Sequence, residues 1–185
     1  GGAVGLALSA PLIGVAAVLI KQEDGGPVFF RQTRVGLDGA DFEVLKLRTM
    51  VVDAESQGAG FAVDEGDPRI LRVGDLLRRT SIDELPQFWN VLKGEMSLVG
   101  PRPHATAHNE HYRGQIGGYM LRHKVKPGIT GLAQVKGFRG ETDTLDKMEG
   151  RVAYDHQYIR EWSIWLDLKI LAKTVGVVLW GKNAY

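Results

Sequence analysis

The first twenty residues carry no charge, although the chain of 185 residues holds 23 Lys and Arg and 22 Asp and Glu. From Ala3 to Ile20 only Gly5, Ser9, Pro11 and Gly14 interrupt an apolar run. Such a segment has to be buried in a core or enter a bilayer. About 18 apolar residues are the least that can cross a hydrocarbon layer of about 30 Å. Pro11 lies in the middle of the run. It lacks a backbone donor and its ring crowds the preceding turn, so the helix is expected to bend or break near Ala10. A kinked helix can still span, or it can dip into one leaflet and return. A signal peptide fits poorly, because no basic stretch precedes the run and no clear small-residue cleavage site follows it. The chain does not start with Met, which leads us to expect further sequence upstream.

The remainder is polar and ordinary for a globular domain, with 44% hydrophobic and 24% charged residues overall. The absence of Cys excludes thiol catalysis and Cys-ligated zinc. A net charge of +1 gives no global attraction to nucleic acid, and none is expected as a partner. Gly25-Gly26-Pro27 marks a turn, and 28–34 and 41–48 read as two strands of a hairpin. In the second strand Phe42, Val44, Lys46 and Arg48 alternate onto one face. Two cations beside two apolar residues suit an anion site next to a core, or a solvated edge. Residues 57–67 read as a mobile loop and 73–79 as a short helix. The spacing then predicts one helix from Ser81 to a stop at Gly94, with Asp83 and Glu84 at its N-terminus. Residues 96–103 read as a loop. Residues 141–161 and 158–180 read as helices, the latter amphipathic and carrying Trp162, Trp165 and Trp180.

The pair Asp83-Glu84 has a structural reading, a capping box begun by Ser81. It also has a chemical one, because an ionised carboxylate attacks phosphorus or binds a hard cation. Adjacent residues point in different directions on a helix, which suits one attacking group and one metal ligand better than a symmetric pair. Arg78, Arg102, Lys46 and Arg48 supply positive charge around it. Carboxylates among cations point to phosphoryl transfer on an anionic substrate. No Walker A or G-x-G-x-x-G pattern is present. His104, His108 and His111 would share one helical face and offer an alternative, a zinc-dependent hydrolase. The acid-free basic stretch from Arg113 to Arg139 suits phosphates or anionic lipid head groups.

Taken together, these residues resemble a known family. Arg78 and Ser81-Ile82-Asp83-Glu84-Leu85-Pro86-Gln87-Phe88-Trp89-Asn90, with Gly100-Pro101-Arg102-Pro103, resemble the signature of bacterial sugar transferases, the monotopic polyprenyl-phosphate phosphoglycosyl transferases. Lys46-Leu47-Arg48-Thr49-Met50 and Lys126-Pro127-Gly128-Ile129-Thr130-Gly131 resemble its other blocks, in the expected order along essentially the whole chain. The region 104–124 and the ending 181–185 are similar to the branch that transfers glucose phosphate to undecaprenyl phosphate, although Leu132 stands where that branch often has Trp.

The resemblance implies an α+β fold. A re-entrant membrane helix at 1–22, turned at Pro11, would precede a catalytic domain at 23–185 with a small β-hairpin, a helical core and amphipathic interface helices. Further domains would lie upstream. It also implies a chemistry. Asp83 would attack the β-phosphorus of a UDP-sugar, releasing UMP, and undecaprenyl phosphate would then take the sugar phosphate from Asp83. Glu84 would hold Mg2+ beside Asp83. Arg78, Arg102, Lys46 and Arg48 would bind phosphates, with Gln87 and Asn90 in support. The implied location is the cytoplasmic face of the bacterial inner membrane, in contact with the phospholipid bilayer. Glucose is the expected sugar, with galactose or an N-acetyl-hexosamine as alternatives. A non-catalytic membrane assembly module is the rival of a different class. Self-association is left open.

Overall fold

Gly2–Asp24 form one helix, α1, which ends at Gly25 with a φ of 70°, a conformation that glycine adopts without strain. The computed structural model describes residues 1–54, 56, 66–139 and 144–180. The loop expected over 57–67 therefore falls almost entirely outside the described residues, as does the ending 181–185. Of the bend or break expected near Ala10, the break does not occur, because the backbone stays helical through Pro11. Proline removes one hydrogen bond there, and the intact turns on both sides keep the segment helical.

Both ends of α1 touch the body. Near its start, the Cα atoms of Gly2 and Gly5 lie so close to the third helix that a Cβ on Gly5 would fall 2.4 Å from the Phe88 ring. Near its end, Ala16 and Ile20 are buried with Leu47, Leu71 and Leu77. Between these ends the same face stays covered, with Ser9 buried and Ile13 packed against that cluster, while the opposite face is bare, Leu8 being 77% and Val15 61% exposed. Only 17% of its most apolar stretch is buried, so α1 is not a core helix.

The expected hairpin is present. Strands β1 (Phe29–Val35) and β2 (Asp41–Leu47) pair antiparallel from Phe29↔Leu47 to Val35↔Asp41. Helix α2 spans Arg72–Thr80 and ends on Ser81, which adopts φ 55°. The single helix expected from Ser81 to Gly94 is instead two pieces. A short 3-10 turn covers Ile82–Glu84, and helix α3 begins at Gln87 and ends at Lys93. The left-handed turn at Ser81 redirects the chain, so Ser81 cannot cap the following helix and the capping box is not formed.

The loop expected at 96–103 contains strand β3 (Ser97–Val99). It pairs in parallel with β4 (Gly128–Thr130), a contact between distant segments that local patterning does not reveal. Helices α4 (Thr106–Tyr112), α5 (Leu132–Val135), α6 (Leu145–Glu161) and α7 (Ile164–Trp180) complete the order. Val99, Leu132, Tyr158 and Ile170 form one buried cluster, and Tyr112, Ile116, Tyr119, Met148 and Val152 another. At the α6–α7 corner Trp162, Ile164, Trp165 and Leu168 remain exposed, Trp165 by 75%.

The Gly128-Ile129-Thr130-Gly131 segment serves to bring two backbones together. A Cβ on Gly128 would lie 2.1 Å from the Gly100 amide nitrogen, and one on Gly131 would lie 2.2 Å from the Gly100 carbonyl oxygen. This close crossing places the Pro101-Arg102-Pro103 loop. Gly128→Ala therefore forces backbone apart and is expected to destabilise the protein by about 1–3 kcal/mol, read as a lower midpoint in thermal or urea unfolding.

Candidate active site

Glu84 is the most heavily bonded group of the site. Its Oε1 accepts from Lys46 Nζ at 2.8 Å and from Arg102 Nη2 at 2.5 Å, and its Oε2 accepts from Arg102 Nη1 at 3.1 Å. Lys46 comes from β2 and Arg102 from the proline-flanked loop after β3, so Glu84 ties three separate pieces of chain. Burial alone would raise the Glu84 carboxyl, but Arg102 and Lys46 overcome it and hold the group well below the usual carboxylate range. It is a fixed anion.

Asp83 is different. It is buried, yet no described residue hydrogen-bonds its carboxylate. Burial pushes it up to about 6, with Glu84 pushing the same way and Lys46, Arg102 and Arg78 opposing. On a 3-10 turn neighbouring side chains diverge by about 120°. Glu84 thus points into its cation clamp while Asp83 is left free for another partner. That is a division of labour between adjacent carboxylates, one anchored and one available.

The other expected residues divide. Arg78, on α2, donates from Nε to Thr49 Oγ1 at 3.0 Å and is close enough to Asp83 to act on its charge. Gln87 is buried beside the 3-10 turn, and its side chain makes no hydrogen bond with any described residue. Arg48 is placed elsewhere. Its guanidinium grips Asp24 at the end of α1 and donates to the carbonyls of Pro27 and Met50. β2 ends at Leu47, so the alternation that aligned Arg48 with Lys46 stops one residue short. Asn90 is also structural. Its Nδ2 donates to Glu43 O and Glu95 Oε2, both at 2.7 Å, and its Oδ1 accepts from Leu45 N at 3.0 Å, pinning α3 to β2.

One cation was not singled out by sequence. Arg139 donates to Ser81 Oγ and, at 3.3 Å, to Val177 O. Burial lowers its pKa from the usual arginine range, while Glu84 and Asp83 act in the opposite sense. Its place in the acid-free run of cations was the only signal, and nothing in chain order linked position 139 to position 81.

Asp83 offers an unengaged carboxylate of the kind Mg2+ takes in ones and twos alongside substrate phosphates. Glu84 has both oxygens engaged and would join such a set only by giving up part of its clamp. The histidine alternative does not assemble. His104 precedes α4, and its Nδ1 lies 2.7 Å from Tyr119 Oη. Burial, with Arg122 and Arg151 nearby, holds it well below its usual pKa. His111 packs edge-on against Tyr112, and no three-residue His, Asp or Glu cluster that could hold a metal exists among the described residues.

Residues 1–181 match the family model described as bacterial sugar transferase. The chain belongs to the bacterial sugar transferase family. This sugar transferase chain is 57% identical over 180 residues to the UDP-glucose:undecaprenyl-phosphate glucose-1-phosphate transferase of Escherichia coli K12, covering 97% of the chain and 39% of that relative. It is 54% identical over 179 residues to the protein of the same name from Caulobacter vibrioides, covering 97% and 67%. A UDP-N-acetylgalactosamine-undecaprenyl-phosphate N-acetylgalactosaminephosphotransferase of Aeromonas hydrophila is 45% identical over 181 residues, covering 98% and 42%. The chain thus spans about two fifths of the E. coli relative.

The raised Asp83 pKa has a thermodynamic consequence for this sugar transferase. The folded group holds its proton more tightly than the unfolded one, so its contribution to stability is present below about pH 4 and is lost as pH rises through about 6. Asp83→Asn removes that loss. Its melting temperature is expected to exceed wild type by roughly 2–4 °C at pH 7.5, and the difference should shrink towards pH 4.

Proposed function

We propose that this chain is the catalytic portion of a membrane-bound phosphoglycosyl transferase, which moves a sugar 1-phosphate from a UDP-sugar to undecaprenyl phosphate. The observation that carries this reading is the buried Asp83 carboxylate, free of hydrogen bonds from the described residues and surrounded by Lys46, Arg78, Arg102 and Arg139. Such a group is a poor structural residue and a good nucleophile. An Asp83 oxygen attacks the β-phosphorus of the UDP-sugar, the bond from that phosphorus to the bridging oxygen breaks, and UMP leaves. A phosphate oxygen of undecaprenyl phosphate then attacks the same phosphorus, displaces Asp83 and gives undecaprenyl-diphosphate-sugar.

Each neighbour has a physical task. Arg78 and Arg102 lie where they can orient the diphosphate, and their charge favours the ionised form of Asp83. Lys46 and Arg102 keep Glu84 ionised, which pins the turn that presents Asp83. Gln87 has an amide available for substrate. Asp83 would hold Mg2+ together with the substrate's phosphates, Glu84 joining only if part of its clamp opened, and the ion would neutralise the diphosphate charge. Two of the residues suggested by sequence, Arg48 and Asn90, have structural tasks and take no part.

The fold supports a position on one side of a bilayer. A helix that crossed the membrane would carry its first residues about 30 Å away from the body. Here Gly2 and Gly5 lie against α3, while Ala16 and Ile20 lie in the cluster with Leu47. One face of α1 thus follows the body from Gly2 to Ile20, and its bare opposite face, with Val4, Leu8, Leu12 and Val15, enters one leaflet without crossing it. Exposed Trp162 and Trp165 suit the interfacial layer. UDP-sugars are cytosolic, so the site faces the cytoplasm. Glucose is the preferred sugar because the relatives of highest identity named above act on UDP-glucose. The N-acetylgalactosamine relative keeps an N-acetyl-hexosamine as the second choice, and a galactose-named relative from Erwinia amylovora adds a third.

UMP release from UDP-glucose, with undecaprenyl phosphate and Mg2+ in detergent, tests this reading. Wild type should release UMP, and Asp83→Asn should lose at least about 1000-fold while remaining folded. Without the lipid acceptor, intact mass should detect one hexose phosphate on the wild-type chain. Full activity in Asp83→Asn sinks the nucleophile assignment, and faster release from UDP-galactose or a UDP-N-acetyl-hexosamine overturns the choice of glucose.

The pH profile gives a separate check. Asp83 attacks only when ionised, so kcat/KM, which follows the free enzyme, should rise between pH 5 and pH 7 with a midpoint near 6.

A further inference from the structure

The Pro101-Arg102-Pro103 segment is held by its carbonyl groups. Proline has no amide hydrogen, so two of these three residues cannot donate. Each carbonyl accepts instead from a different part of the fold. Pro101 O accepts from Gly128 N at 2.9 Å, Arg102 O from Arg122 Nη2 at 2.7 Å, and Pro103 O from Arg34 Nη1 at 3.2 Å. His104 O, the next in line, accepts from Val35 N at 3.3 Å.

Arg122 is the unusual member of this set. It is a fully buried arginine whose Nη2 also lies 2.7 Å from Asp155 Oδ2, itself fully buried on α6. Its Nη1 contacts Nδ1 of the His104 ring, the same nitrogen that lies 2.7 Å from Tyr119 Oη. The planar fork is therefore fixed at several points, which a lysine cannot reproduce. It spends one donor on the main chain of the residue whose side chain clamps Glu84. A buried ion pair is costly to form and a poor way to gain stability, so its retention calls for another reason.

We infer that Arg122, fixed by Asp155, is a positioning residue that sets the Arg102 guanidinium against Glu84 and so sets the turn that presents Asp83. This rests on the phosphoglycosyl transfer proposed above. Small displacements of such groups are expensive in rate, because the attacking oxygen and the phosphates must already be aligned. Arg122 touches no substrate. Its effect reaches the chemistry only through Arg102.

The test is a double-substitution cycle on the full chain, with UMP release and amide exchange as readouts. Arg122→Lys keeps a cation beside Asp155 and should fold. It is expected to lower kcat about tenfold with KM for UDP-glucose within about threefold of wild type, and to speed amide exchange in residues 100–104 without changing β1 and β2. In an Arg102→Lys background the same substitution should lower kcat less than about twofold. Equal losses in both backgrounds, wild-type kcat in Arg122→Lys, or unchanged exchange at 100–104 overturns the inference. Should Arg122→Lys fail to fold, Arg122→Met combined with Asp155→Leu removes both buried charges together and should show the same kcat loss and faster exchange, with the same contrary results counting against it. A wild-type chain that releases no UMP would refute the proposed reaction instead, and the exchange comparison would still decide whether Arg122 holds the loop.

Discussion

The three-way clamp on Glu84 is the interaction on which the site depends. Its partners come from the hairpin and from the loop between β3 and α4, and neither is near it in sequence. Each charge in the clamp would be unfavourable alone in this buried setting. Together they satisfy one another, and the net result is an immobile anion one residue away from Asp83. Asp83 then experiences opposing influences, burial and Glu84 against Lys46, Arg102 and Arg78. Burial prevails, and its carboxyl sits near the middle of the physiological range rather than far below it. A carboxylate left without a hydrogen-bond partner in this way is suited to attack on phosphorus once it ionises.

Around this centre the fold spends short, strained or close-packed pieces of backbone. Ser81 takes a left-handed conformation to turn the chain out of α2. Gly128 and Gly131 let β4 and the following turn cross the Gly100 backbone at distances that no side chain permits. Two prolines stiffen the loop that carries Arg102, and its carbonyls are tied down one after another. The anchor obeys a different rule. α1 gains its place by burying one face along its length, while its apolar opposite face, left outside, is satisfied only by a medium other than water.

Much of this was legible beforehand. The hairpin was readable because alternation and turn residues are local signals. The carboxylate pair and the cations Arg78, Lys46 and Arg102 stood out by residue type and by resemblance. What escaped was always a matter of distant contact or of one residue's backbone angle. Arg48 shares a face with Lys46 only while the strand continues, and the strand stops at Leu47. Asn90 looked like a site residue because it lies on the helix after the carboxylates, yet its amide is consumed in joining α3 to β2. The capping-box reading of Asp83-Glu84 failed because Ser81 ends one helix and does not cap the next. The β3–β4 pair is three residues on each side and far apart in the chain, which leaves no periodicity to detect.

The sequence alone determined that a charge-free segment must leave water, and that carboxylates and cations suited to an anionic ligand were both on hand. These follow from residue type, because transfer free energies and charge do not depend on where the chain goes. Only the tertiary structure decided that α1 is neither a core helix nor broken at Pro11, that Glu84 is the clamped carboxylate and Asp83 the free one, and that Arg139 and Arg122 converge on the site or its support. Those outcomes depend on which distant groups reach hydrogen-bonding distance, and that is a property of the folded path rather than of the order of residues along it.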